Sequence, residues 1–153
     1  EKQMSNYSTD ADVLEYEPTI KEYGVIDFSS YHAKTTADIQ RHLRIEWWPR
    51  VRRSSLHSRY FSTTDLEMDN TKLTASQLKR TAVYHVLAYY ILPQLTKHDA
   101  EPDRFRMMID FYKARFRDEL DMVLADGVEY DWDGDATVQE TEKQPQHFNR
   151  LVR

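Results

Sequence analysis

The chain has 153 residues, 40% of them hydrophobic and 31% charged, proportions that fit one globular domain and exclude a disordered chain. No run approaches the roughly 18 apolar residues that a membrane-spanning helix needs, and a net charge of −5 excludes a surface that grips nucleic acid over its whole extent. There is no cysteine, hence no disulfide or thiolate metal site, which suits a reducing cytoplasm.

The N-terminus, Glu1 to Asp10, is polar and carries no signal-peptide core. It begins with Glu1 rather than Met, so trimming or processing is expected. Residues 1–8 read as a loose end. Thr9 caps a short helix with Asp12 at the third position, a variant of the capping box. Pro18 breaks that helix and opens a second short one ending at Gly24. These pieces expose Val13, Leu14, Tyr16, Ile20 and Tyr23, so they pack on something. Ser29 or Ser30 starts a longer helix to about Trp48, with Ala33, Ala37, Gln40, Leu43 and Trp47 near one stripe and Ile39 beside it. Pro49 ends it. Residues 49–72 read as a long connection, with one helical turn at Asp65–Met68; a loop of that length is usually functional or mobile.

The next helix is capped by Thr74, with Gln77 completing the box and Leu73 stapled to Leu78. Its core stripe is Leu78, Ala82, Val83, Val86, Leu87, Tyr90 and Ile91, with Tyr84, His85 and Tyr89 on or beyond the edge, and Pro93 closes it. The last long helix starts near Asp99–Asp103 and ends at Gly127. Phe105, Met108, Ile109, Tyr112, Phe116, Leu120, Val123 and Leu124 form its apolar face, and Arg115–Glu119 and Arg117–Asp121 are i,i+4 pairs. Two long helices joined by a short turn pack antiparallel. After Gly127 the period becomes two: Val128, Tyr130 and Trp132 alternate with Glu129, Asp131 and Asp133, which predicts a short strand. Thr137–Arg153 is polar with isolated Phe148 and Leu151 and reads as an extended arm. The fold class is therefore mainly α: a small antiparallel helical bundle over residues 1–136 with a long connecting loop and a short C-terminal strand, followed by an extended C-terminal tail over 137–153.

No catalytic pattern emerges. The histidines are His32, His42, His57, His85, His98 and His147; none sits in an HExxH or other helical metal pair, and His85 reads as structural. No Gly-x-Ser-x-Gly elbow exists, and Gly24, Gly127 and Gly134 stand alone rather than in a phosphate-cradling cluster. Asp131, Asp133 and Asp135, with Glu142 eleven positions after the first, imitate a calcium loop. Ala136 stands where that loop demands glycine, however, and the incoming segment reads as strand, so the expectation is a solvated acidic turn and no metal. No enzyme, cofactor or membrane contact is expected.

The binding features are more specific. Arg50, Arg52, Arg53 and Arg59, next to Tyr60 and Phe61, can contact phosphates and stack on bases, or pair with an acidic neighbour. Trp47, Trp48, Tyr60, Tyr89, Tyr130 and Trp132 are a surplus of aromatics; they mark an interface or thicken one compact core. Segment Thr137–Arg153 holds too little apolar surface to order alone, so if it is ordered, a partner orders it.

The stretch Asp12-Val-Leu-Glu-Tyr-Glu-Pro-Thr-Ile, then Phe28, and the helix Ala37-Asp-Ile-Gln-Arg-His-Leu-Arg-Ile-Glu-Trp-Trp-Pro49 resemble head-tail adaptor proteins of tailed bacteriophages. So do Gln77-Leu, Val83-Tyr-His-Val-Leu-Ala-Tyr-Tyr-Ile-Leu-Pro93, Phe111-Tyr-Lys-Ala-Arg-Phe and Gly127-Val-Glu-Tyr-Asp. The similarity runs from about Asp10 to Asp133. It implies a helical structural protein of the virion neck, made in the host cytoplasm, that forms a homo-oligomeric ring of twelve copies beneath the portal, extends the DNA channel and docks the next neck or tail protein. It also implies a C-terminal arm that reaches the portal, with Phe148, Arg150, Leu151 and Arg153 as candidates, and a loop of Arg50, Arg52, Arg53 and Arg59 facing a neighbouring subunit, the next neck protein or DNA passing through the channel. The alternative is a small helical nucleic-acid-binding or regulatory protein using the basic loop 50–59, with steeply salt-dependent affinity.

Overall fold

The computed structural model describes residues 5–52, 67–96 and 104–143, and the fold is mainly helical. Helix α1, Asp10–Tyr16, starts as its sequence predicts: the Thr9 side chain accepts the Asp12 amide, and the Asp12 carboxylate takes the Thr9 amide. A 3₁₀ turn, Ile20–Tyr23, ends at Gly24, whose φ of +107° is the left-handed conformation glycine adopts freely. Helix α2, Ser29–Glu46, follows. Pro49 does not stop helical structure. It falls in the first turn of a short helix α3, Trp48–Arg52, where a missing N–H costs nothing.

The buried face of α2 differs from the expected stripe. Ala33 and Ala37 are exposed, while His32, Thr35, Thr36, Ile39, Gln40 and Leu43 are buried. Four of those six residues are polar, and each of the polar side chains has a partner on a distant segment, described below; burial without a partner would be costly.

Helix α4, Ala75–Val86, continues through a π-helical turn, Leu87–Ile91, into α5, Leu92–Leu95. Pro93 therefore does not close the helix. A proline ring would clash with the carbonyl four residues back, that of Tyr89, and widening the turn just before it relieves the clash. Between Leu78 and Leu92 only Lys79, Arg80, Tyr84, Tyr89 and Tyr90 escape burial, which makes this the central helix. Helix α6, Arg104–Asp126, runs alongside. Leu120, Val123 and Leu124 of its second half share a core with Leu78 and Ala82, and Tyr112 of its first half shares one with Val83, Val86, Leu87 and Ile91.

Two local expectations fail for one reason. Thr74 makes no side-chain cap bond, and Gln77 does not complete a box. Its amide donates to the Gly127 carbonyl and accepts the Glu129 amide, both at 2.8 Å, which ties the segment after α6 to the start of α4. That segment forms no strand among the described residues. Leu73 and Tyr130 make a single antiparallel bridge, because the backbone opposite, residues 72–74, is a short link between a three-residue 3₁₀ turn, Asn70–Lys72, and the start of α4. Within the predicted arm, Glu142 is fully buried against Trp132, and residues 144–153 lie outside the described residues. Of the two predicted helix pairs, Arg117–Asp121 forms; Arg115 instead lies over the Phe111 ring and Glu119 meets Arg80.

Candidate functional site

Three polar constellations and one apolar surface stand out. The first straps the N-terminus to α2. Ser8 Oγ lies 2.8 Å from His32 Nδ1, and His32 Nε2 lies 3.0 Å from Asp10 Oδ1. An ionised carboxylate can only accept, so Nε2 carries the proton, and in the neutral ring Nδ1 takes the Ser8 hydroxyl proton. Burial pushes the Asp10 carboxyl up, but bonds from Lys21 and His32 outweigh it and leave it below the usual value. The arrangement has the residue types of a hydrolase triad without its access: Ser8 and His32 are both buried, so no substrate reaches the hydroxyl. Beside it the Thr36 hydroxyl accepts the Tyr7 amide at 3.1 Å and Gln40 donates to the Tyr7 hydroxyl at 3.0 Å. What this set does is hold residues 7–10 in place.

The second lies between α2 and α4, in an open hollow of about 260 Å³ lined by Asp38, Arg41, His42, Ile45, His85 and Tyr89. Asp38 and His42 are four residues apart and share a face of α2. His85 is buried, stacks on Tyr89 with centroids 4.5 Å apart, and has Nδ1 3.3 Å from the Thr35 hydroxyl. Burial, only partly offset by Asp38 and reinforced by His42, pulls its pKa down to about 4, so the ring is neutral at physiological pH. Tyr90, on the π-helical turn, donates to Asp38; burial and that carboxylate push the phenol up to about 12. His42 Nδ1 lies 3.0 Å from Glu46, which Arg117 grips with two bonds of 2.9 and 2.7 Å. The Arg117 contact dominates and takes the Glu46 carboxyl down to about 2.

The third is the acidic loop. One carboxylate oxygen each from Asp131, Asp133 and Glu142 lie within 4.8 Å of one another. Each carboxylate accepts backbone amides: Asp131 takes those of Gly134 and Ala136, Asp133 that of Asp135 through Oδ1, and Glu142 those of Trp132, Asp133 and Gln139. Ala136 adopts a φ of +68°, so the left-handed turn forms without the glycine whose absence argued against it. The loop is thus more ordered than a solvated turn, and Glu142 fixes it to Trp132.

The apolar surface is the outer face of α6, where Met107, Phe111 and Met122 are 69%, 52% and 64% exposed. At 100° per residue they fall within about 60° of one another, opposite Phe116 and Leu120 in the core.

The predicted binding residues distribute unevenly. Trp47, Trp48, Tyr130 and Trp132 are all buried and in mutual ring contact at 4.7–6.0 Å, so these four thicken the core instead of facing a partner. Tyr89 is exposed, on the rim of the hollow. Arg50 is exposed on α3, and Arg52 ends that helix. Arg53, Arg59, Tyr60, Phe148, Arg150, Leu151 and Arg153 lie outside the described residues. Sequence reasoning did not single out Asp38, His42 or Glu46, although their spacing of four along one helix was a legible signal. No helix among the described residues is long and apolar enough to cross a membrane. No protein family, curated protein or solved structure matches the chain.

Proposed function

We propose that the chain is a structural adaptor of a tailed-phage neck: a small antiparallel helical bundle whose copies form a ring beneath the portal and connect head to tail. The observation that carries this reading is the line of exposed Met107, Phe111 and Met122 on the longest helix. Exposed apolar side chains gathered on one face of a helix, here with Asp118 among them, are what a protein neighbour covers. A head-to-tail contact that closes by rotation makes a ring. The resemblance over Asp10–Asp133 supplies the ring's place and its expected twelve copies.

In this reading the arm ending at Arg153 meets the portal, the Arg50–Arg59 loop faces a neighbour, the next neck protein or channel DNA, and an acidic ring lets DNA slide without gripping it. The test mixes the purified chain with DNA-filled tailless heads and with isolated portal rings, imaged by electron microscopy. Extra ring density under the portal is the expected result, and it counts the copies. If neither binds, while duplex DNA is retained at low salt and released at high salt, the nucleic-acid alternative replaces this one.

A further inference from the structure

We propose that two free copies of this chain pair through the outer faces of their α6 helices, antiparallel, about a two-fold axis beside Ala114. The pairing does not depend on the neck reading.

The outward row is longer than its three large apolar residues. Met107, Phe111, Ala114, Asp118, Met122 and Ala125 follow one another at intervals of three or four, the spacing that keeps side chains on one side of a helix. The first five are exposed and Ala125 is partly so, while Tyr112, Phe116 and Leu120 face the core.

The row is close to symmetrical about its middle. With an antiparallel mate centred between Ala114 and Arg115, Met107 of each copy stands level with Met122 of the other, at the two ends of a contact about 22 Å long. Ala114 lies at the axis, where a small side chain lets two helices approach to about 8 Å. Phe111 stands level with Asp118 of the second copy. A carboxylate in an apolar row is costly without a partner. Here Arg115, whose guanidinium lies 5.2 Å from the centre of the Phe111 ring, stands where that carboxylate arrives. Symmetry makes this pair twice.

Charge supplies an independent observation. Between Arg104 and Arg117 the helix carries five cationic side chains and one carboxylate; between Asp118 and Asp126 it carries four carboxylates and no cation. Arg104 and Arg106 stand in the first turn and Asp126 in the last, each at the end where the helix macrodipole disfavours its sign. Some of these charges are met within the chain: Arg117 by Glu46 and Asp121, Glu119 by Arg80, Asp126 by Lys143. Arg104, Arg106, Arg115 and Asp118 form no ion pair among the described residues. An antiparallel mate lays the basic half of each helix along the acidic half of the other and opposes the two macrodipoles. A parallel mate sets like charges side by side.

This surface is complementary to itself, which is what an isologous contact between identical chains requires. A ring uses a different, head-to-tail contact, so copies that also build the ring proposed above part from their mates first.

Sedimentation velocity of the full, untagged chain is expected to show a dimer at about 100 µM that dissociates below about 1 µM, as suits a small contact. Arg115→Glu and Asp118→Arg each set like charges against one another across the axis, and each is expected to weaken pairing at least about tenfold. The double variant Arg115→Glu with Asp118→Arg exchanges the two ends of the contact and is expected to restore it. Both positions are exposed, and circular dichroism verifies that the variants fold. The chain has no cysteine, so single cysteines report the register: under mild oxidation Ala114→Cys is expected to give a disulfide-linked dimer and Ala125→Cys to stay unlinked. A wild type that is monomeric at the higher concentration overturns the proposal. So does a dimer that the single reversals leave intact, a double variant that stays monomeric, or equal cross-linking of Ala125→Cys, which a parallel pair gives. Imaging on portal rings decides the neck reading separately.

Discussion

Trp48 lies face to face with Trp132, their ring centroids 5.7 Å apart and their planes 5° from parallel. The first opens α3 and the second lies beyond the end of α6, so the stack joins two parts of the chain that are far apart in sequence. Trp47 and Tyr130 complete the cluster, and the Trp132 indole N–H donates to the Glu142 carbonyl at 3.2 Å.

Replacing Trp132 by alanine is therefore expected to destabilise the chain by about 3–5 kcal/mol, the range for emptying a buried tryptophan site. Urea unfolding measures the loss, and near-ultraviolet circular dichroism reports the broken stack. A loss under about 1 kcal/mol would mean that the ring is peripheral.

Glu142 is the clamp of the same region. Its Oε1 accepts the amides of Trp132 and Asp133 at 2.9 and 3.2 Å, and its Oε2 accepts that of Gln139 at 2.8 Å. In Glu142→Gln one acceptor becomes a donor that faces other donors, at a cost of about 1–3 kcal/mol. Hydrogen exchange is expected to accelerate at 132–142 while α4 and α6 keep their protection. Uniform acceleration across the helices would instead make the loop part of the global folding unit.

The acidic flank of α1 sets a pH dependence. Burial raises the Asp12 carboxyl, but Lys79 and Thr9 outweigh it and the net shift is downward from 3.8. The unfolded chain therefore binds this proton more tightly than the folded one. The contribution is complete above that ordinary value and disappears as the pH falls through the lowered one. Asp10, shifted the same way, adds to it. The melting temperature of the wild type is expected to fall more steeply than that of Asp12→Asn between about pH 5 and pH 3. Parallel slopes would show that other carboxylates carry the acid sensitivity.

What the sequence made legible was what neighbouring residues decide. The α1 cap needs only Thr9 and Asp12, three apart, and it forms as predicted. The buried row Tyr112, Phe116, Leu120, Val123 and Leu124 repeats at helical spacing, and it too forms. Prediction failed where a distant partner outbids a local one. Gln77 leaves its own helix start for Gly127 and Glu129, 50 and 52 residues away. Thr35 and Thr36 turn inward past Ala33 and Ala37 because His85 and the Tyr7 amide offer them hydrogen bonds across 50 and 29 residues. The hollow was hidden for the same reason, since Asp38 and His42 acquire meaning only when α4 brings His85 beside them.

The outer face of α6 supplies the sharpest test of how the chain assembles. Phe111 and Met122 point away from the core and are more than half exposed, so Phe111→Glu with Met122→Glu removes little internal packing, chiefly the Arg115 and Tyr112 contacts of the Phe111 ring. The stability change is expected to stay within about 0.5 kcal/mol for each, as for ordinary surface positions. If copies meet through this stripe, two carboxylates placed in it must be desolvated without partners, which costs far more than the apolar contact they replace. The double variant is then expected to remain a folded monomer that forms no ring on the portal, by sedimentation velocity and electron microscopy. Rings of normal size from the double variant would move the subunit contact to another surface. Loss of assembly with the melting temperature unchanged would place it on α6.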